Sequence, residues 1–151
     1  MANHHRAHKT LARSYLTYFI CSVVGLFADT LIGFHIDVAY ANEIAFVCFG
    51  VGAVLIGWAQ YLSRNFGKEA TLSQDPYFAR GPYRYMRNPT HLGIVILVMG
   101  YTVVSGSLVF FGVTIIGYLI SNKFFHRYES IVGETYGKTY QEYKARVPKI
   151  F

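Results

Sequence analysis

Charge is scarce in this chain: 15% of its 151 residues are Asp, Glu, Lys or Arg, against 53% hydrophobic residues. The apolar residues are bunched rather than alternating, which argues for membrane spans and against a soluble domain. Cysteine is also sparse. Cys21 and Cys48 each fall inside an apolar run, predicting buried free thiols, and they offer no metal or redox spacing. The chain lacks a nucleophile–base–acid set, a glycine-rich phosphate loop and a zinc pattern, so hydrolysis by a triad or a metal is not expected. A cleavable leader is not expected either. The first apolar run is long, has no small-residue cleavage pattern, and should stay as an anchor.

The charge that is present is mostly of one sign, a net +6, and sits in tails and loops between apolar runs. Such loops meet anionic headgroups on the cytoplasmic side of a membrane, so a membrane partner is expected and a nucleic-acid partner is not. His4, His5 and His8 lie in the basic N-terminal tail. Three histidines there are read as solvated, and no metal is expected.

The length suits one domain, residues 1–151. Spans are predicted at about 14–34, 43–62, 89–104 and 108–125, an all-α integral membrane fold of about four helices. Asp29, near the end of the first span, is read as a boundary residue. Gly50, Gly52 and Gly57 in the second are read as helix-packing positions. Ser105-Gly106-Ser107 is a tight turn, making the last two spans a helical hairpin. Beyond it, Tyr136, Tyr140, Tyr143 and Val147 fall on one face of an amphipathic helix, expected against the membrane surface or over a loop. The basic N-terminal tail, the long loop from Ser63 to Asn88 and the basic C-terminal tail then share one side. The positive-inside rule makes that side, with both termini, cytoplasmic.

Gly81-Pro82-Tyr83-Arg84-Tyr85-Met86-Arg87-Asn88-Pro89-Thr90-His91-Leu92-Gly93 joins the polar loop to the third span. Pro89 suits a first helical position, and the residue before it is pushed out of the helical region. Asn88 is therefore expected to cap, accepting from an N–H one turn in. The helix start and its dipole suit an anion. Arg84 and Arg87 can grip a carboxylate or phosphate, or serve as interfacial anchors. Asn88 and His91, three positions apart, can share a face and line a site, although His91 can equally be an interfacial helix residue. Glu129, after the fourth span, can be brought back over Asn88 or stay a solvated acid.

This stretch resembles the "GPYRYxRHPxYxG" motif of the isoprenylcysteine carboxyl methyltransferase and phospholipid methyltransferase superfamily. Glu129, Val132, Tyr136-Gly137, Tyr140, Tyr143 and Arg146-Val147-Pro148 resemble its C-terminal "EExxLxxxFGxxYxxYxxxVPR" segment. The two motifs and the hairpin between them cover residues 80–151. Asn88 stands where the family has histidine, His91 where it has tyrosine, and Tyr128 where the first of two paired glutamates is expected. The resemblance implies a membrane methyltransferase using S-adenosylmethionine on a lipophilic acceptor, with the cofactor site formed by the loop and the C-terminal helix. On that reading Arg87 and Glu129 are the catalytic candidates, and Tyr83, Arg87, Asn88, Pro89, His91, Gly93, Glu129 and Tyr140 the cofactor-binding ones. A nicotinamide-dependent reductase of the membrane sterol type and a non-catalytic membrane scaffold are the competing readings.

Overall fold

The computed structural model describes residues 2–63 and 80–148, so most of the long polar loop lies outside the described residues. The side chains of His4, His5 and His8 lie outside them as well. Among the described residues five α-helices follow one another: α1 (Ala2–Ile32), α2 (Ala41–Ser63), α3 (Pro89–Ser105), α4 (Leu108–Tyr136) and α5 (Lys138–Arg146). A short 3-10 turn, Gly81–Arg84, leads into α3.

Local chemistry sets the helix ends. The backbone of Gly33 is left-handed (φ 64°) and its N–H closes the last turn of α1 on Asp29 O at 2.8 Å. Gly106, also left-handed, ends α3. Ser107 then caps α4, its Oγ accepting from Phe110 N at 2.9 Å. Asn88 differs from expectation. It is held outside the helical region (φ −139°, ψ 58°), as a residue before proline should be, yet its side chain makes no capping hydrogen bond. The first turn of α3 is closed instead by the Asn88 carbonyl, which accepts from Leu92 N at 3.1 Å.

Among the described residues three helices are long and apolar enough to cross a membrane: α1 over Lys9–Ile32, α2 and α4. The third predicted span, α3, is 17 residues and shorter than these. At 1.5 Å per residue it reaches about 25 Å, just under the ~30 Å of a hydrocarbon core. Phe19, Phe27, Leu31, Phe46, Val54 and Leu119 all point outward, as lipid-facing side chains do. The helix that carries the fourth predicted span continues beyond it. α4 runs without a break from Leu108 to Tyr136, so residues expected in the surface helix belong to it, and that helix is restricted to Lys138–Arg146.

Helix pairing follows small residues, not chain order. α1 packs along α4, and α2 along α3, while the expected hairpin partners α3 and α4 touch only slightly. Within the α2–α3 pair, a Cβ on Gly52 would lie 2.8 Å from Gly93 O, and one on Gly100 would lie 2.8 Å from Cys48 Cβ. Within the α1–α4 pair, Gly25 faces Phe110 and Gly117 faces Cys21. Missing side chains let backbones approach until dispersion holds them, which matters most where lipid removes any hydrophobic drive between helices. Gly50 and Gly57 take no part in this packing, for a Cβ on either meets nothing within 4 Å.

Candidate active site

Both ends of the bundle are polar, and they differ in kind. At one end Asp29 accepts from Ser107 Oγ and lies 3.1 Å from His35 Nε2. Here the α1–α2 connection is stitched to the α3–α4 turn, through Ile36 N to Gly106 O at 2.9 Å and Leu108 N to Phe34 O at 3.1 Å. Asp29 is thus a boundary residue with a structural task. The other end gathers the motif residues.

There, the 3-10 turn sits against α2, with Gly81 packed on Leu62 and Trp58. Its left-handed backbone (φ 55°) admits that approach. The turn presents Arg87 toward α4. Glu129 lies 21 positions after Leu108, about 32 Å along the helix axis, so α4 carries it from one polar end of the bundle to the other. Arg87 Nη1 donates to Glu129 Oε1 at 2.8 Å, and both side chains are largely buried, at 12% and 6% exposure. Lys144, from α5, places Nζ 3.9 Å from Glu129 Oε2. Arg87 Nε is buried without an acceptor among the described residues.

Aromatic residues roof this pair. Val132, Tyr140, Tyr143 and Val147 form a buried cluster with Tyr83, Tyr128 and Tyr136 packed on it. Gly137 makes the fold-back possible. Its φ of 55° and ψ of −127° suit only glycine, and they turn α5 so that Tyr140 and Tyr143 come over the end of α4. The Tyr143 hydroxyl donates to Tyr83 O at 2.7 Å, fastening α5 to the 3-10 turn. Burial pushes the phenols of Tyr83, Tyr140 and Tyr143 above their ordinary value. For Tyr140 the carboxylate of Glu129 adds to that upward push and the charge of Arg87 opposes it.

Beneath the pair lies a buried polar column. His91, only 5% exposed, shares a hydrogen bond of 3.2 Å between its Nε2 and Tyr18 OH, packs against Tyr118 and stacks on Phe125. Phe125 is one turn before Glu129, so His91 forms a floor just under the charged pair. Ser14 and Ser121 hydrogen-bond beside it between α1 and α4. Tyr15 and Tyr83 both contact the Thr90 hydroxyl.

Of the residues expected at a site, Arg87, Glu129, Tyr83 and Tyr140 are brought together. Pro89 is buried at the first position of α3, next to Asn88. His91 lies one layer deeper, and Gly93 sits at the α2–α3 crossing, against Gly52 and Ile56. Arg84 is exposed. Sequence reasoning did not single out Lys144, the Tyr143 hydroxyl or Tyr18 as partners. Tyr143 lay on the same predicted face as Tyr140, a signal that was there to use. Nothing local marked Tyr18, whose partner is 73 positions away.

The arrangement is that of an integral membrane helical bundle capped at one end by a buried charged pair under tyrosines. The chain belongs to the phospholipid methyltransferase family, whose profile matches residues 41–139. That span includes α2, α3, α4, Arg87 and Glu129, and it places the protein among membrane methyltransferases. No curated protein and no solved structure matches the chain.

Proposed function

We propose that the protein transfers the methyl group of S-adenosylmethionine to a lipophilic acceptor reached from the membrane, with residues 1–151 acting as a single domain. The Arg87–Glu129 pair carries this reading. A guanidinium and a carboxylate, buried side by side at the rim of an apolar bundle, match the carboxylate and ammonium of the cofactor's amino-acid end. The orphaned Arg87 Nε is a further donor of the kind a carboxylate can use.

In this reading Arg87 binds the carboxylate, Glu129 the ammonium, and the faces of Tyr83 and Tyr140 lie against positive charge and the adenine. Asn88 and His91 hold the polar edge. Pro89 and Gly93 fix the start of α3 and its distance from α2. When bound, the cofactor supplies an electrophilic methyl group on a sulfonium. The chain supplies alignment, worth on the order of 7–11 kcal/mol in the best intramolecular cases. Tyrosines and apolar helices keep water out, which favours the step when an anionic acceptor is neutralised by it. An isoprenylcysteine-like carboxylate, a lipid amine and a small thiol all suit such a rim. The basic end of the bundle, with both termini, faces the cytoplasm.

Calorimetric titration of S-adenosylmethionine into the detergent-purified protein tests the reading. Binding by the wild type should fall at least about tenfold, 1.4 kcal/mol, in Glu129→Gln and in Asn88→Ala. A folded wild type that binds NADPH and not S-adenosylmethionine would instead be a reductase, and one that binds neither would be a scaffold.

A further inference from the structure

We propose that the molecule is built as two rigid helix pairs hinged at the Asp29–Ser107 end, free to part along the seam between them at the Arg87–Glu129 end. Three independent observations converge on this. First, among the described residues every close glycine approach between membrane helices lies within a pair. Gly52, Gly93 and Gly100 serve α2–α3, and Gly25 and Gly117 serve α1–α4. Backbones locked at such distances move together.

Second, both connections that cross from one pair to the other at the far end are clasped to each other. The α1–α2 link and the α3–α4 turn share two backbone hydrogen bonds, and Asp29 bridges Ser107 and His35 across them. Ile36 backbone atoms pack so tightly on Gly106 that no Cβ fits there, which fixes the clasp further. Third, among the described residues the contacts that join the pairs elsewhere all run through at least one side chain, and at the open end they include the Tyr143 hydroxyl on Tyr83 O. Tyr101 meets Phe110 near the clasp, Tyr18 meets His91 midway, and Arg87 meets Glu129 at the open end. Such contacts can be exchanged one for one with a ligand's groups, whereas a glycine crossing cannot.

The device deepens the functional reading, on which its purpose rests. Opening the seam gives a membrane-borne acceptor a path from lipid to the polar cap. The Arg87–Glu129 pair and the Tyr143–Tyr83 bond above it are then the catch, and Tyr18–His91 a second one below.

The test needs no ligand, so it stands apart from the identity of the cofactor. In a Cys21→Ala, Cys48→Ala background, nitroxides are placed on the exposed positions Tyr61 of α2 and Lys123 of α4, across the open end. A second pair, on Leu31 of α1 and Phe46 of α2, reports on the clasp. Pulsed dipolar spectroscopy in lipid nanodiscs should show Glu129→Gln lengthening and broadening the Tyr61–Lys123 distance while the Leu31–Phe46 distance holds. Asp29→Asn should broaden the Leu31–Phe46 distance. If Glu129→Gln does not yield folded protein, His91→Phe makes the same test, because it removes the Tyr18 hydrogen bond and keeps the ring. No change at the open end in any folded variant, or equal changes at both ends, overturns the hinge.

Discussion

Arg87 and Glu129 are 42 positions apart in the chain and 2.8 Å apart in the fold, with little water around either. Removing one member of such a pair leaves the other charge buried and uncompensated, which costs about 3–5 kcal/mol. The same carboxylate acts on its neighbour Tyr140, whose phenol is raised first by burial and then by Glu129. Glu129→Gln should therefore lower the Tyr140 value toward the ordinary 10.0, read as phenolate absorbance during alkaline titration. The linkage has a definite sign. A phenol raised on folding gives stability that is complete below its unfolded value of about 10 and is lost as pH climbs toward the folded one. The roof of the site should thus loosen in alkali. A Tyr140 titration that ignores Glu129→Gln would mean that the two groups do not share an environment in solution.

At the level of the element, α2 has three glycines that look alike in sequence and are not alike in place. Gly52 faces the backbone of Gly93, whereas Gly50 and Gly57 face open space. A methyl group on Gly52 meets a carbonyl oxygen at 2.8 Å, which cannot rotate away as a side-chain tip can. Gly52→Ala should cost on the order of 1–3 kcal/mol, the usual range for overpacking, and lower the melting temperature in detergent. Gly50→Ala and Gly57→Ala should fall within about 0.5 kcal/mol of the wild type or gain slightly, since alanine is the better helix former. Equal losses at all three would show that α2 packs on something other than α3. The element also explains the reach of α4. Its continuation past Phe125 is what lifts Glu129 to the rim, and Gly137 is where the chain finally turns back.

For the whole molecule, the distribution of charge supports the proposed orientation. Arg13, Arg80, Arg84, Arg87, Lys123, Arg127, Lys138 and Lys144 cluster toward the end that holds the charged pair, and the clasp end carries Asp29, Asp37 and Glu43 with no Lys or Arg. A fluorescent reporter fused after Phe151 should light up in the cytoplasm, and adding lysines to the 34–40 connection should weaken that preference. A reporter silent in the cytoplasm would invert the proposed topology.

Much of this was present in the chain itself. Apolar runs long enough for a bilayer, set off by basic segments, determine an all-α membrane fold, because lipid permits no other open arrangement of backbone polar groups. The Asn88-Pro89 step determines where α3 begins, and the two motifs name Arg87 and Glu129 as candidates. Pairing was not legible. Sequence adjacency joins α3 to α4, but glycine positions that only matter once two helices meet send α3 to α2 and α4 to α1. The cap on Asn88 also failed to form, since a side chain's hydrogen bond depends on the exact backbone angle that Pro89 and its surroundings impose. Nor could the chain alone show Tyr18 under His91, Lys144 beside Glu129 or Asp29 across from Ser107, for each bond spans distant segments. Local sequence determines which segments become helices and where they end, because those choices rest on nearest neighbours. Only the tertiary structure decides which helices touch, because that choice rests on surfaces that exist only after the helices have formed.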